Sequence, residues 1–389
     1  MQSSKTHKAH REPFVYITKR AVLGKRKSLL IKGGVIFAGI IICAIVAVLL
    51  TGENPFTVFE SMIEGSFGTS RKLWNLLQAT AILLGISLAV TPAFKMRFWN
   101  TGAEGQVLIG MLASIACMFY IGDGMPSWLL TVVMLLASVL ASAVWAGIPG
   151  VFKAIWNTNE TLFTLMMNYV AMQLVSFFIM IWNPSGSMVL GIVNSDSRNG
   201  WFPALFGQNY LMNVLIVAVV TAAVFIYLKK SKQGYEITVV GESENTARYI
   251  GIDVKKVIIR TVIISGALCG VMGWILAAGT SHSITANSVG GNGFTAIMIS
   301  WMSKFNPIVM IFSSLLVAFL QRGAGQIATD LRLDPSVGEV LTGIIILVII
   351  STSFFVDYKV HCPSMHRVWN STKSFFKKVF LRITGKKGV

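Results

Sequence analysis

The chain has 389 residues, 54% of them hydrophobic and only 13% charged, with a mean hydropathy of +0.68. That balance excludes a soluble globular protein and requires a polytopic membrane protein. The net charge of +17 would suggest nucleic acid in a soluble chain, but these cations lie between and beyond the apolar runs, where they control topology; no nucleic-acid partner is expected.

Residues 1–32 form a basic arm, too long and too polar before its apolar run for an ordinary cleaved signal peptide. The arm reads as cytoplasmic, leading into an uncleaved anchor. A helix crossing a bilayer needs about 20 mostly apolar residues, and about ten runs approach that length. They are 33–50, 73–90, 107–121, 127–148, 161–182, 210–227, 257–279, 293–303, 307–320 and 340–355. The sequence thus predicts an all-α membrane protein with a transmembrane domain over 33–355. The eighth run is too short to cross as a plain helix, so it is expected to be broken or to borrow preceding loop residues. The basic tail, 356–389, alternates Phe with Lys and Arg. It suits a helix lying on anionic membrane lipids and equally a solvated basic end.

With the N-terminus inside and the spans alternating, only Arg71, Lys72, Arg198, Arg322 and Arg332 of the 33 basic residues fall outside the cytoplasm. Lys and Arg near span ends resist translocation, so both termini are expected inside. Cys43, Cys117, Cys269 and Cys362 show no paired spacing, which argues against a disulfide or a metal site.

Polar groups inside a bilayer are costly unless paired or facing a water-filled path. The stretch FWNTGAEGQ, 98–106, is therefore a site candidate. Trp99 offers a flat stacking surface, Asn100 and Gln106 offer donors and acceptors, and Glu104 suits a sugar diol or an exocyclic amine. The alternative for Glu104 is neutralisation of a helix N-terminus, with the glycines allowing close packing. In the second half NSVGGNGF, 287–294, is a matching polar interruption before an apolar helix, and brings Asn292 and Phe294 as substrate-facing candidates. Interruptions at corresponding places hint at two pseudo-repeated halves around a central path. In NTNETLFTLMMNY, 157–169, Thr158 is a candidate cap, Glu160 serves the helix dipole, and Asn168 needs a partner that is either another helix or a passing ligand.

The central segment, 229–260, mixes seven basic and four acidic residues and belongs in water. It contains a compact helix signal: Ser243 as N-cap, Glu244 in the first turn, then Asn245, Ala247, Arg248 and Tyr249, with Gly251 as terminator before Ile252. Asp253 caps the following helix. A short helix between two spans on the basic side is shaped to dock a soluble partner. No phosphate loop, HExxH, GxSxG or Cys/His cluster occurs, and the histidines are confined to the termini and His282, so catalysis by this chain is not expected.

FWNTGAEGQ, NETLFTLMMNY, GYEITVVGESENTARYIGI and GGNGFTAI followed by NPIV together resemble the permease subunits of bacterial ATP-binding cassette importers for nucleosides and simple sugars. The match lies within the ribose/branched-chain amino acid permease superfamily, in the nucleoside branch that works with a Bmp-type lipoprotein. Thr101 stands where that family usually has a hydrophobic residue, and Trp99 is an added aromatic. The resemblance implies a plasma-membrane permease whose coupling loop, 229–258, docks a cytoplasmic ATPase with two nucleotide-binding domains. It further implies a second related permease and an external substrate-binding lipoprotein. ATP and Mg would be bound by the ATPase, leaving this chain without a cofactor. A ribose-type sugar permease is the alternative. An ion-coupled secondary transporter is less well supported, because only Glu104, Glu160 and Glu339 lie near apolar runs. An integral membrane enzyme lacks a catalytic constellation.

Overall fold

The computed structural model describes residues 16–19, 54–183, 186–187, 189–330 and 358–361, with isolated positions within 41–48 and 340–351. The chain divides into two units, Met1–Leu49 with Gly343–Val389, and Leu50–Thr342. In the first unit β1 (Tyr16–Lys19) pairs antiparallel with β2 (Tyr358–His361), Tyr16 opposite His361. The candidate spans at 33–50 and 340–355, and the basic tail beyond 361, lie almost wholly outside the described residues.

The second unit is helical. α1 (Pro55–Phe67) starts with Pro55 in its first turn and the Asn54 side chain accepting from the Phe56 N–H. This amphipathic helix falls between the expected spans 33–50 and 73–90, where no element was anticipated. Then follow α2 (Ser70–Lys95), α3 (Ala103–Ile121), α4 (Ser127–Trp156), α5 (Glu160–Trp182) and α6 (Leu211–Lys230). α7 (Lys232–Glu242) and α8 (Glu244–Tyr249) fill the central segment, where α7 was not anticipated. α9 (Val254–Leu276) ends in a π-turn at Ala277–Ser281, and α10 (Asn292–Met302) and α11 (Pro307–Asp330) complete the unit. Seven helices, among the described residues, are long and apolar enough to cross a membrane, and each falls on one of the expected runs. α10, with 11 residues, is too short to span, as its run length implied.

Burial explains why these helices can be apolar all round. α4 turns Ser138, Ser142, Ala146 and Gly150 inward at four-residue spacing, while Val132, Leu136, Leu140 and Val144 face outward. A soluble helix would do the reverse; here lipid tails accept the large side chains and small ones let backbones approach. The partner is α9, whose Gly266 meets Ala146 and whose Gly270 carbonyl accepts from the Ser138 hydroxyl at 2.6 Å. α2, by contrast, is enclosed along nearly its whole length, packing on α9, α10, α11 and α6. Its buried hydroxyls are satisfied internally or across helices, Thr91 meeting Ser300 at 2.9 Å. The centre of the unit is therefore α2, α3 and α9.

Candidate functional site

The stretch between α2 and α3 turns sharply at Arg97, whose φ is 62°, and enters the interior at Phe98. Asn100 and Gln106 then pair through their amides in both directions. Asn100 Nδ2 donates to Gln106 Oε1 at 3.1 Å, and Gln106 Nε2 donates to Asn100 Oδ1 at 2.9 Å. Asn100 also donates to the Ser265 hydroxyl of α9, and its Oδ1 accepts the Gly102 N–H. Asn168 spans from α5: its Oδ1 accepts the Gly105 N–H at 2.9 Å, and its Nδ2 donates to the Thr101 carbonyl at 2.9 Å. Gly105 is required here, since a Cβ would lie 2.9 Å from the Asn168 Cα.

Glu104 is the centre of this arrangement. Its side chain, only 3% exposed, reaches the first turn of α10. Oε1 accepts from Gly291 N–H at 2.8 Å, and Oε2 accepts from Gly293 N–H at 2.7 Å. Both orphan donors belong to a helix N-terminus, where the dipole also favours an anion. Gly290 and Gly291 reach this turn with φ of 62° and 75°, a conformation that disfavours side chains. The two polar interruptions, 98–106 and 287–294, thus meet in space, joined by one carboxylate.

In this arrangement Asn100, Glu104, Gln106 and Asn168 spend their hydrogen-bonding capacity on protein. The candidates that retain open faces are Trp99, Asn292 and Phe294. Trp99, 46% exposed, stacks on Trp301 at 5.3 Å and meets Phe94 edge-on. Asn292 lines a cavity of about 230 Å³ with Ala79, Ile82, Leu83, Gln321 and Arg322. Sequence reasoning did not single out Gln321 or Arg322; the only signal was their place just after an apolar run. It likewise missed the junction beneath the π-turn, where Gln78 donates to the Thr280 hydroxyl at 2.8 Å and Asn213 donates to the Gly279 carbonyl. Two expectations at α5 need correction. Asn159, not Thr158, caps it, accepting from the Leu162 N–H, and Glu160 does more than face the dipole, for it pairs with Lys153 at 2.9 Å.

The short helix of the central segment follows its sequence signals closely. The Ser243 hydroxyl accepts the Thr246 N–H, Glu244 sits in the first turn, and Gly251 leaves the helix with φ of 84°. Asp253 caps α9 by accepting the Lys256 N–H, which holds its exposed carboxyl below the usual range. Tyr249 is 92% exposed, and Arg248 reaches only Glu244, at 3.5 Å. Ala247 alone is buried, in a cluster with Met96, Phe98, Ile237, Val240 and Val254, against which Ile252 packs. α8 thus shares a buried cluster with Phe98, in the loop that carries Asn100 and leads to Glu104.

Among the described residues no group of His, Cys, Asp and Glu is placed to hold a metal. Residues 73–350 match the family described as branched-chain amino acid transport system / permease component. The chain belongs to that family and is a permease of the ABC transporter class. It is similar to the nucleoside ABC transporter permease protein NupB of Lactococcus lactis, 26% identical over 86% of this chain and 93% of that one. The glucose ABC transporter permease protein TsgB13 of Haloferax volcanii is 27% identical, over 81% and 85% respectively. The guanosine ABC transporter permease protein NupP of Bacillus subtilis is 25% identical, over 78% and 88%.

Proposed function

We propose that the chain is one permease of an ATP-driven importer that carries nucleosides across a bacterial plasma membrane. The observation that carries the reading is the continuity from α8 to the interior loop. Ala247 and Phe98, two residues before Asn100, belong to one buried cluster, and Glu104 in turn holds the first turn of α10. A cytoplasmic ATPase with two nucleotide-binding domains, binding the ATP and Mg, would dock on α8. Its closure would tilt that helix, shift the loop and move α10, which carries Asn292 and Phe294. A second related permease would complete the path, and an external lipoprotein would deliver the cargo. Trp99 and Phe294 offer rings for a nucleobase and Asn292 an amide for its edge, while Asn100, Glu104, Gln106 and Asn168 position the loop that bears them.

Two relatives carry nucleoside or guanosine in their names, which supports the choice of cargo. The glucose permease, at similar identity, favours a sugar as the second reading. Vesicles containing the chain with its ATPase, second permease and lipoprotein decide between them: labelled adenosine, guanosine or uridine should enter on addition of ATP, and glucose or ribose should not. Uptake of sugar alone overturns the cargo, and uptake driven by an ion gradient without ATP overturns the class. Orientation is tested with single cysteines: one at Ser195 should react with an impermeant thiol reagent in intact cells, and one at Lys232 should be protected.

A further inference from the structure

α2 runs for 26 residues, about 39 Å at the helical rise. Its Lys95 end packs on Gly241 of α7, and so marks the side of the central segment. At the opposite end lies a cavity of about 470 Å³ between the first turn of α2 and the C-terminal half of α11. Arg71, Lys72 and Arg322 line it, with the amides of Asn75, Gln321 and Gln326. These are three of the five cations that the alternation of spans leaves outside the cytoplasm, where Lys and Arg are otherwise scarce. Among the described residues none of the three forms a salt bridge. The one carboxylate on α11, Asp330, instead accepts from Gln326 Nε2 at 2.6 Å.

Three like charges around one recess repel one another, weakly where Arg71 and Arg322 reach solvent, and an anion among them relieves that repulsion. The N-terminal end of α2 adds its positive dipole from the same side. Arg offers a planar fork and Lys a point charge, the combination suited to a tetrahedral oxyanion, and the side-chain amides supply further donors. Next to the recess Phe67 and Leu73 are exposed, and Phe67 packs on Phe319 at 5.9 Å between ring centres, so an apolar wall adjoins the cationic one. Gln321 and Arg322 also line the smaller cavity that contains Asn292, which places this recess one residue pair from the α10 turn held by Glu104.

We propose that this recess binds a phosphate group, carried either by the headgroup of an anionic phospholipid or by a soluble phosphate ester. The proposal stands on the cavity and its cations, and holds whether or not the cargo is a nucleoside. Full-length chain in nanodiscs of phosphatidylcholine alone is titrated with inorganic phosphate and with adenosine 5′-monophosphate by calorimetry. In parallel, nanodiscs containing phosphatidylglycerol are used and the lipid retained after release is counted by native mass spectrometry. Soluble binding identifies an ester, and retained phosphatidylglycerol identifies a headgroup. The triple change Arg71→Gln, Lys72→Gln, Arg322→Gln should weaken whichever is seen by at least about tenfold, each single change giving part of the loss, while Lys72→Arg retains binding. The melting temperature should not fall, because no charge partner is lost and the repulsion among the three is relieved. Absence of binding in both arms, or binding that survives removal of the three charges, overturns the proposal; so does a triple variant whose only defect is in docking an acidic external protein.

Discussion

Two polar regions of this chain are built on opposite terms. Around Glu104 the side chains of Asn100, Gln106 and Asn168 are buried and paired within the protein, and the partners of this group come from α5, α9 and the first turn of α10. Along α8 the polar side chains are exposed, the one ion pair is loose at 3.5 Å, and Tyr249 stands almost wholly in solvent. In a bilayer an unpaired polar group costs several kcal/mol, so an interior cluster survives only where its bonds are complete. A surface helix pays no such penalty, and its side chains remain available to something else. The first region is shaped by the rest of the chain and the second is left open to solvent; in the proposed mechanism the second receives force from a partner and the first transmits position.

The largest expected effect comes from Gly293. A Cβ there would lie 2.6 Å from the Glu104 backbone nitrogen and 2.7 Å from its carboxylate, atoms of a packed helix that cannot step aside. Gly293→Ala should destabilise the detergent-purified chain by about 3 kcal/mol or more, combining overpacking with loss of the carboxylate's bonds. Gly85→Ala is the control, because its Cβ meets only the flexible thioether of Met272 and should cost about 1 kcal/mol. Equal melting temperatures for the two variants would break the picture of a rigid interior.

Glu104→Gln comes next. An amide offers one acceptor and turns its NH₂ toward an N–H, so one charge-assisted bond is lost and a donor is left facing a donor. About 2 kcal/mol of stability should go, and uptake should fall in step with folded protein. If uptake falls while thermal stability is unchanged, Glu104 contacts cargo directly and the contrast between the two regions narrows.

The double change Arg248→Ala with Tyr249→Ala should do the opposite. Thermal stability should shift by less than about 0.5 kcal/mol, since neither side chain is buried, whereas affinity for the ATPase should drop roughly thirty-fold, about 2 kcal/mol. Copurification and substrate-stimulated ATP hydrolysis report it, and full retention of both would remove α8 from the coupling role. Gly251→Val should also impair docking, because a β-branched residue resists the φ of 84° that ends the helix.

Smallest is Ser243→Ala. It removes the side-chain acceptor for the Thr246 N–H and should loosen only the first turn of α8, by about 1 kcal/mol. Hydrogen exchange confined to 244–249 would show it; exchange spreading into α9 would mean that α8 and the span are one cooperative unit.

How much of this was legible in the sequence depended on range. α8 and its boundaries could be read from Ser243, Glu244 and Gly251 because a cap, a first turn and a terminator act within a few residues of each other. At Asn159 the same logic misfired by one position, since Thr158 and Asn159 are both competent caps and only the approach of the chain from Asn157, at φ 52°, selects between them. α1 was missed because its two apolar stripes, Val58 with Met62 and Ile63 with Phe67, are too short for a span and interleave with Glu60 and Glu64. In the interior, residue types marked Asn100, Glu104, Gln106 and Asn168 as needing partners, yet nothing local identified those partners.

Composition and run length by themselves determined the class of protein and the placement of its seven described spans. The length needed to cross a bilayer and the cost of exposing backbone there are properties of the solvent, acting on each segment separately. Which groups meet was decided only by the tertiary structure. Glu104 finds its donors 187 and 189 residues away, at Gly291 and Gly293. Arg71 and Lys72 come to line one recess with Arg322 across a still longer gap in sequence. No local preference encodes such pairings. They arise because α2, α3 and α9 pack closely enough, through Gly and Ser at their contacts, to bring the polar interruption before α3 and the turn that opens α10 against each other in a place without water, where each must satisfy the other.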